Sequence, residues 1–313
     1  MAKYLITGGA GFIGSHIAET LVGRGEEVVV YDNLSFGDVK NLKGIRDKIK
    51  LFEADIRDKE ALHKAVAGAD YILHQAALRS VPKSFENIGE YNDVNINGTV
   101  NVLVAARDAG VKKVVFASSS SVYGERDDLP EREGDKPSPL SPYAATKLAG
   151  ELYCEIFSRI YGLKTVSLRY FNVFGPRQSL ENKYAVVVPK FITNILKNES
   201  PPIYGDGMQS RDFTYIDNVV EANILSATTP SDGAIVLNVA SGNAKTVVYL
   251  AEYINKMLKK DIKPVFGPPR NGDVKHTLAD ISEAEKRIGF TVKVDFEEGV
   301  NKAIEWFRAN YPV

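Results

Sequence analysis

Lys3-Tyr4-Leu5-Ile6-Thr7 runs directly into Gly8-Gly9-Ala10-Gly11-Phe12-Ile13-Gly14. The first five residues have strand character. Past the glycines, Ile13, Ile17 and Leu21 recur at four-residue steps, which predicts a helix over 12–23. Strand, glycine turn and helix in this order are the context that a dinucleotide-binding fingerprint requires. Gly8 permits the tight turn, Gly11 lets a pyrophosphate approach the backbone, and Gly14 lets the helix close on the strand. Phe12 and Ile13 then stand at the helix N-terminus, where free N–H groups and a partial positive charge favour phosphate. A second strand-like run, Glu27 to Tyr31, ends at Asp32, eighteen residues past Gly14. A carboxylate there accepts from an adenine-ribose 2′-OH. The Gly-x-x-Gly-x-x-Gly spacing departs from the commonest form, and alone it also fits a ligand-free turn. Asp32 tips the reading toward a nucleotide. It would repel a 2′-phosphate, and no arginine occurs in Asn33-Leu34-Ser35, so NAD is expected over NADP.

Composition sets limits. A chain of 313 residues holds one large domain or two moderate ones. A formal net charge of −1 gives no footprint for nucleic acid or an anionic membrane. Cys154 is the only cysteine, which excludes an intrachain disulfide and a cysteine metal cluster, and no metal is expected. No apolar stretch approaches the ~20 residues needed to span a bilayer. The first strand starts at residue 3, leaving no room for a signal peptide, so a cytoplasmic location is expected.

Strand-like runs recur at 50–54, 71–74, 113–117, 165–170 and 236–239, with helical patterns between most of them, notably 91–109 and 143–161. This alternation predicts an α/β fold with a Rossmann-type, doubly wound parallel sheet. Past 173 it loosens, punctuated by Pro176, Pro189, Pro201-Pro202, Pro264 and Pro268-Pro269. The reading is a nucleotide-binding domain over 1–173 and a smaller, loop-rich substrate domain over 174–313, with about 213–240 returning to the sheet.

Ligands of such sheets sit at the carboxyl ends of the strands. The run Ser118-Ser119-Ser120-Ser121 follows the 113–117 strand and so lies at that edge. Pro142 suits a first helical turn, which puts Tyr143 and Lys147 one turn apart on one face. Free tyrosine has a pKa of about 10, and a nearby ammonium favours its phenolate. Alcohol oxidation needs such a base, because hydride leaves carbon only as the O–H proton departs. Tyr-x-x-x-Lys alone also fits an exposed amphipathic helix; the glycine turn and the strand-end serines make it a candidate site.

Together these residues resemble the extended short-chain dehydrogenase/reductases, and among them the UDP-glucose and UDP-N-acetylglucosamine 4-epimerases. Further marks run the length of the chain: Asp55-Ile56, His74-Gln75-Ala76-Ala77, the Asn95–Thr99 run, the Arg169–Pro176 run, Arg211-Asp212-Phe213 and the Arg270–Asp273 run. The resemblance implies that Tyr143 is the base toward the sugar 4-OH and that Lys147 holds the nicotinamide ribose. It makes Ser119, twenty-four residues before Tyr143, the hydroxyl bridge, and brings Ser121 to the hexose. Asp32 and Asn33 would hold the adenosine ribose, with Asp55 and Ile56 flanking the adenine. Gln75, Ala76 and Ala77 would line the pyrophosphate and nicotinamide side with Asn95 near them, and Tyr170 would contact the nicotinamide amide. On the substrate side, Asn172, Arg211 and Arg270 would grip the diphosphate. Val187, Ile203 and Tyr204 would hold uracil, and Asp273 the uridine ribose.

The implied reaction is transient oxidation at C4 of a UDP-sugar by tightly held NAD, rotation of the keto sugar, and return of the hydride. Related 4,6-dehydratases place Asp-Glu after the catalytic hydroxyl, where this chain has Ser120 and Ser121, which argues against dehydration. UDP-glucuronate epimerases and decarboxylases stay as alternatives; a non-catalytic NAD sensor would be expected to lack Tyr143 or Lys147. Arg79 stands where relatives carry a small residue or lysine, either contacting the sugar or crowding the site. Thr277 stands where hexose-only relatives carry tyrosine, which leaves room for an N-acetyl group. Relatives pair the two long helices, 91–109 and 143–161, into a dimer; apolar Leu148, Leu152 and Ile156 predict the same homodimer here.

Overall fold

The computed structural model describes residues 1–179, 187–269 and 274–311. Seven strands form one sheet: β1 (Lys3–Thr7), β2 (Glu27–Asp32), β3 (Ile49–Glu53), β4 (Tyr71–His74), β5 (Lys113–Ser119), β6 (Lys164–Tyr170) and β7 (Ala234–Val239). Their spatial order is β7-β6-β5-β4-β1-β2-β3 and every pairing is parallel. The chain order reverses between β1 and β4, which opens the crevice where such sheets bind ligands.

Register brings the strand ends level. Thr7 pairs with both Tyr31 and His74, and Ser119 with Tyr170. One edge therefore carries the glycine turn, Asp32, Gln75, the serines and Tyr170. Within β1, β2, β4 and β5 alternate residues bury on opposite faces. Ile6, Val30, Leu73 and Val115 join the core under the Phe12–Gly23 and Ile216–Thr228 helices. Leu5, Val29, Ile72 and Val114 join the core under the Gly98–Asp108 and Pro142–Tyr161 helices. Covering on both faces explains the near-continuous apolar runs.

Most of the expected elements form, with three instructive differences. β3 starts one residue earlier than expected, because Val28 takes Ile49 as its partner. β5 runs two residues further, since Ser118 and Ser119 pair with Arg169 and Tyr170; these hydroxyls ride on a strand rather than a loop. The 91–109 helix is composite: α-helix at Ile88–Asn92, a π turn at Asp93–Asn97 and α-helix at Gly98–Asp108. A Cβ on Gly98 would meet Ile56 Cδ1 at 2.4 Å, so the helix is pressed onto the segment after β3 where the π turn ends.

Downstream of β6 the chain makes two-stranded pairs: Val173–Phe174 with Thr214–Tyr215, Ser210–Asp212 with Ala244–Thr246, and Pro202–Tyr204 with Val265–Gly267. β7 leaves this region to lie beside β6 in the main sheet. The Phe296–Asn310 helix packs back through Gly299, where a Cβ would meet Tyr215 Cδ2 at 2.8 Å and Phe174 Cζ at 2.9 Å. Among the described residues, no helix is long and apolar enough to cross a membrane.

Candidate active site

The glycine turn has no room for side chains. Gly8 has φ +66°, and a Cβ there would lie 2.7 Å from the Ala76 nitrogen; on Gly14 it would lie 2.2 Å from the Gly8 oxygen. Gly14 thus serves the turn itself rather than strand packing, while Gly9 makes the close approach to Val30 at 2.8 Å. Gly11 caps the Phe12–Gly23 helix without a side-chain acceptor, and the first turn carries no acid. Its N–H groups are left for an anion, which is what a pyrophosphate needs.

A cavity of about 730 Å³ runs from this turn along the sheet edge. At one end are Asp32, Asn33, Asp55 and Ile56; Gln75, Ala76 and Ala77 follow; Arg79, Tyr143, Lys147 and Tyr170 line the other end. Asp32 accepts from Ala10 N at 2.9 Å and Leu34 N at 2.8 Å, which fixes both oxygens. Burial raises its pKa and the two backbone donors oppose the rise. Asn33 donates to Asp55 at 2.8 Å, and Arg57 holds the Asp55 carboxyl down at about 2. These residues fit an adenosine end, and the extended channel fits a dinucleotide.

Tyr143 starts the Pro142–Tyr161 helix, capped by Ser141 accepting from Ala144 N, with Pro142 in the first turn. Its phenol is buried, which raises its pKa; a hydrogen bond with Ser119 and the Arg79 guanidinium act in the opposite direction. Ser119 Oγ accepts from Ser121 Oγ at 2.9 Å and Ser121 N at 3.2 Å. Lys147 Nζ donates to the Ala117 carbonyl at 2.7 Å and lies 6.0 Å from the Tyr143 ring centre. Burial pulls Lys147 down to about 8, and Glu151 opposes it. Arg79, which lines the same end of the cavity, adds a second cation near the Tyr143 phenol.

Behind Lys147, Glu151 takes two bonds from Arg169, at 2.8 and 3.0 Å, and one from Ser118 at 2.5 Å. Tyr170 OH meets Gln75 Oε1 at 3.2 Å and accepts from Asn223 Nδ2 at 2.8 Å. Asn223 was not foreseen. Its only sequence signal is a polar residue on the buried face of the Ile216–Thr228 helix, a signal that Asn218 and Ser226 share. Asn95 is off the cavity wall: it accepts from Leu78 N at 2.8 Å and donates to Leu78 O at 2.9 Å and Thr146 at 3.0 Å, and so holds the segment after Ala77.

A second group gathers at Asn172, also off that wall. Asn172 has φ +33° and donates to the Asp212 carbonyl at 3.2 Å and to Thr277 Oγ1 at 3.1 Å. Thr277 is buried, 5% exposed, and its hydroxyl also accepts from Asp212 N. Arg211 donates to the Ser210 and Lys275 carbonyls. Ile203 is buried in the core. Tyr204 closes that strand half-buried, and Val187 opens the Val187–Leu196 helix half-buried. Arg270 and Asp273 lie outside the described residues. Arg177, Trp306 and Tyr311, which sequence reading did not single out, line the main cavity.

A sheet-edge channel with a carboxylate at one end and a Tyr–Lys–Ser group at the other is the arrangement that a dinucleotide-dependent oxidoreductive site needs. Residues 4–240 match the model of the NAD dependent epimerase/dehydratase family. The chain is 38% identical to a putative UDP-glucose 4-epimerase of Methanocaldococcus jannaschii over 98% of each. It superposes with TM-score 0.95 and 44% identity on a UDP-N-acetylglucosamine 4-epimerase from Methanobrevibacter ruminantium in complex with UDP-N-acetylmuramic acid, covering 99% of both. It also superposes with TM-score 0.90 and 37% identity on the Thermus thermophilus UDP-glucose 4-epimerase in complex with NAD, covering 99% of this chain and 100% of that one. The chain belongs to the NAD dependent epimerase/dehydratase family. It is an NAD-dependent enzyme on the Rossmann-type plan of that family.

Proposed function

We propose that this protein is a UDP-sugar 4-epimerase that interconverts UDP-glucose with UDP-galactose and UDP-N-acetylglucosamine with UDP-N-acetylgalactosamine. The observation that carries the reading is Tyr143 on the cavity wall, close to Ser119, with Lys147 one turn on and no acid in the two positions after Ser119. A base without a neighbouring acid suits proton transfer at one hydroxyl rather than loss of water.

Tyr143 as phenolate takes the proton of the sugar 4-OH, with Ser119 bridging the two oxygens. Bound NAD+ supplies the hydride acceptor at C4 and later the hydride donor. Arg79 and Lys147 keep positive charge near the phenol and favour its ionised form. Asn172 and Arg211 hold the diphosphate away from the reacting carbon, so the nucleotide anchors the substrate while the keto sugar turns. Tyr143 then returns the proton to the C4 oxygen, once the turned keto sugar presents its other face to the cofactor. The small Thr277 side chain supports acceptance of a 2-acetamido group, and the Methanobrevibacter relative carries the corresponding name. We also propose a homodimer. Leu152, Ile156 and Ile160 are 53%, 49% and 64% exposed along one face of the Pro142–Tyr161 helix, whereas Leu148 packs inward beside Tyr123.

Purified protein offered the four UDP-sugars and UDP-glucuronate, each product resolved by anion exchange, tests the reading. Turnover of the hexose or N-acetylhexosamine pairs is expected; conversion of UDP-glucuronate alone would replace it.

A further inference from the structure

An arginine and a tryptophan from distant parts of the chain meet the cofactor channel. Arg177 lies three residues past Phe174, in a loop stitched to the Phe12–Gly23 helix: His16 Nε2 meets the Pro176 carbonyl at 3.0 Å. Burial holds His16 down at about 4, so this imidazole is neutral at pH 7 and donates to that carbonyl. Arg177 itself has φ +66°, a conformation a non-glycine residue keeps only when its surroundings impose it. Its guanidinium reaches Ser15 Oγ at 3.4 Å, and Ser15 Oγ bonds the Phe12 carbonyl. The cation therefore stands one turn from the open end of the helix, on the cavity wall. Its ion-pair partner, Glu19, lies outward: the carboxylate side chain is 49% exposed and the guanidinium 19%. Solvent screens the pair from the Glu19 side, which leaves it exchangeable.

Trp306 arrives from the other side. Gly299 makes the close approach to Phe174, and Trp306 follows it by seven residues, two helical turns along the same face. That spacing carries the indole past Phe174 to the channel, where Tyr311 packs edge-on against it at 6.0 Å.

We propose that Arg177 and Trp306, backed by Tyr311, form a clasp over the bound dinucleotide, with Arg177 exchanging Glu19 for the pyrophosphate and Trp306 covering it from solvent. A planar guanidinium matches phosphate in bidentate fashion, and an indole shields that contact from water. The clasp would make cofactor retention a property of the C-terminal helix and the 175–179 loop, independent of which sugar is turned over.

The test measures NAD release from the loaded enzyme by exchange with excess labelled NAD, without sugar. Arg177→Gln should release NAD at least about tenfold faster, as expected for loss of a charge-assisted contact. Arg177→Lys, which keeps charge but loses the fork, should fall between it and wild type. Glu19→Gln should release no faster than wild type, since it frees Arg177 for phosphate. Trp306 is the only tryptophan in the chain, so its emission reports on this spot. Acrylamide should quench it at least about twofold less in the NAD-loaded protein than in the stripped protein, as a ligand lying over the ring requires. The proposal is overturned if Arg177→Gln releases NAD within twofold of wild type. It is also overturned if Glu19→Gln accelerates release as much as Arg177→Gln, since Arg177 would then act only through its ion pair. Unchanged acrylamide quenching would remove Trp306 from the clasp.

Discussion

Lys147 Nζ donates to the Ala117 carbonyl at 2.7 Å. This bond joins the helix that carries Tyr143 to the strand that carries Ser119. It sets the three groups of the site relative to one another before any substrate arrives. Ser118 and Ser119 are held in turn by their pairing with Arg169 and Tyr170 of β6.

Tyr143→Phe should fold, keep NAD and lower kcat by at least about a hundredfold, because positioned acid–base catalysis is worth 10²–10⁴. Epimerase activity near wild type in that variant would remove Tyr143 as the base.

The strands and long helices were legible because both faces of the sheet are covered, which leaves uninterrupted apolar runs between polar turns. The glycine turn and Asp32 were legible because each needs a particular residue type at a fixed distance from a strand end. Asn223 was not, since nothing local marks the buried amide that reaches Tyr170 across the fold. Arg177 and Trp306 were hidden for the same reason: the chain meets the channel there only after Gly299 packs on Phe174. Asn95 is a different case. Its position was well placed by motif, yet its polar atoms are occupied by Leu78 and Thr146, so it supports the cofactor side without lining it.

His74 joins the ends of β1 and β4 to the next helix, its ring between Thr7 Oγ1 at 2.6 Å and Thr99 Oγ1 at 3.0 Å. Full burial pulls its pKa from 6.5 down to about 3. The unfolded chain therefore binds the extra proton first, and stability falls as pH drops from 6.5 toward 3, by about 1.4 kcal/mol per pH unit. His74→Asn removes this titration. Urea midpoints of wild type and variant at pH 7.5 and 5.5 should show their stability gap shrinking by about 1.4 kcal/mol at the lower pH. A gap that is constant or widens on acidification would show that His74 is not held neutral.

Asp32 should set cofactor choice. Its two oxygens are fixed by Ala10 N and Leu34 N, and a Cβ on Gly37 would lie 2.9 Å from both. A 2′-phosphate brought to this carboxylate meets like charge in a confined place. Nucleotide extracted from denatured protein should be NAD; recovery of mostly NADP would overturn the role given to Asp32.

Thr277 should set substrate range. Rotation of a keto sugar needs space around C2, and an acetamido group needs more than a hydroxyl. On the proposed reading a small residue at 277 leaves that space and a tyrosine would fill it, a repulsive element that discriminates without new attraction. Thr277→Tyr should therefore suppress UDP-N-acetylglucosamine epimerisation while largely sparing UDP-galactose. The hydroxyl of Thr277 has a second task, accepting from Asn172 Nδ2 at 3.1 Å and Asp212 N at 3.2 Å. Tyrosine would remove both acceptor contacts as well as adding bulk, so Thr277→Val is the companion variant: it keeps the volume and loses the hydroxyl. Valine should lower kcat/KM for both substrates alike, through a loosened Asn172, and leave their ratio within about twofold of wild type. Tyrosine should shift that ratio by at least about tenfold toward the hexose, as expected of steric exclusion worth roughly 1–3 kcal/mol. An unchanged ratio in the tyrosine variant would show that Thr277 is not the gate. An equal shift in the valine variant would place discrimination in the orientation of Asn172 instead.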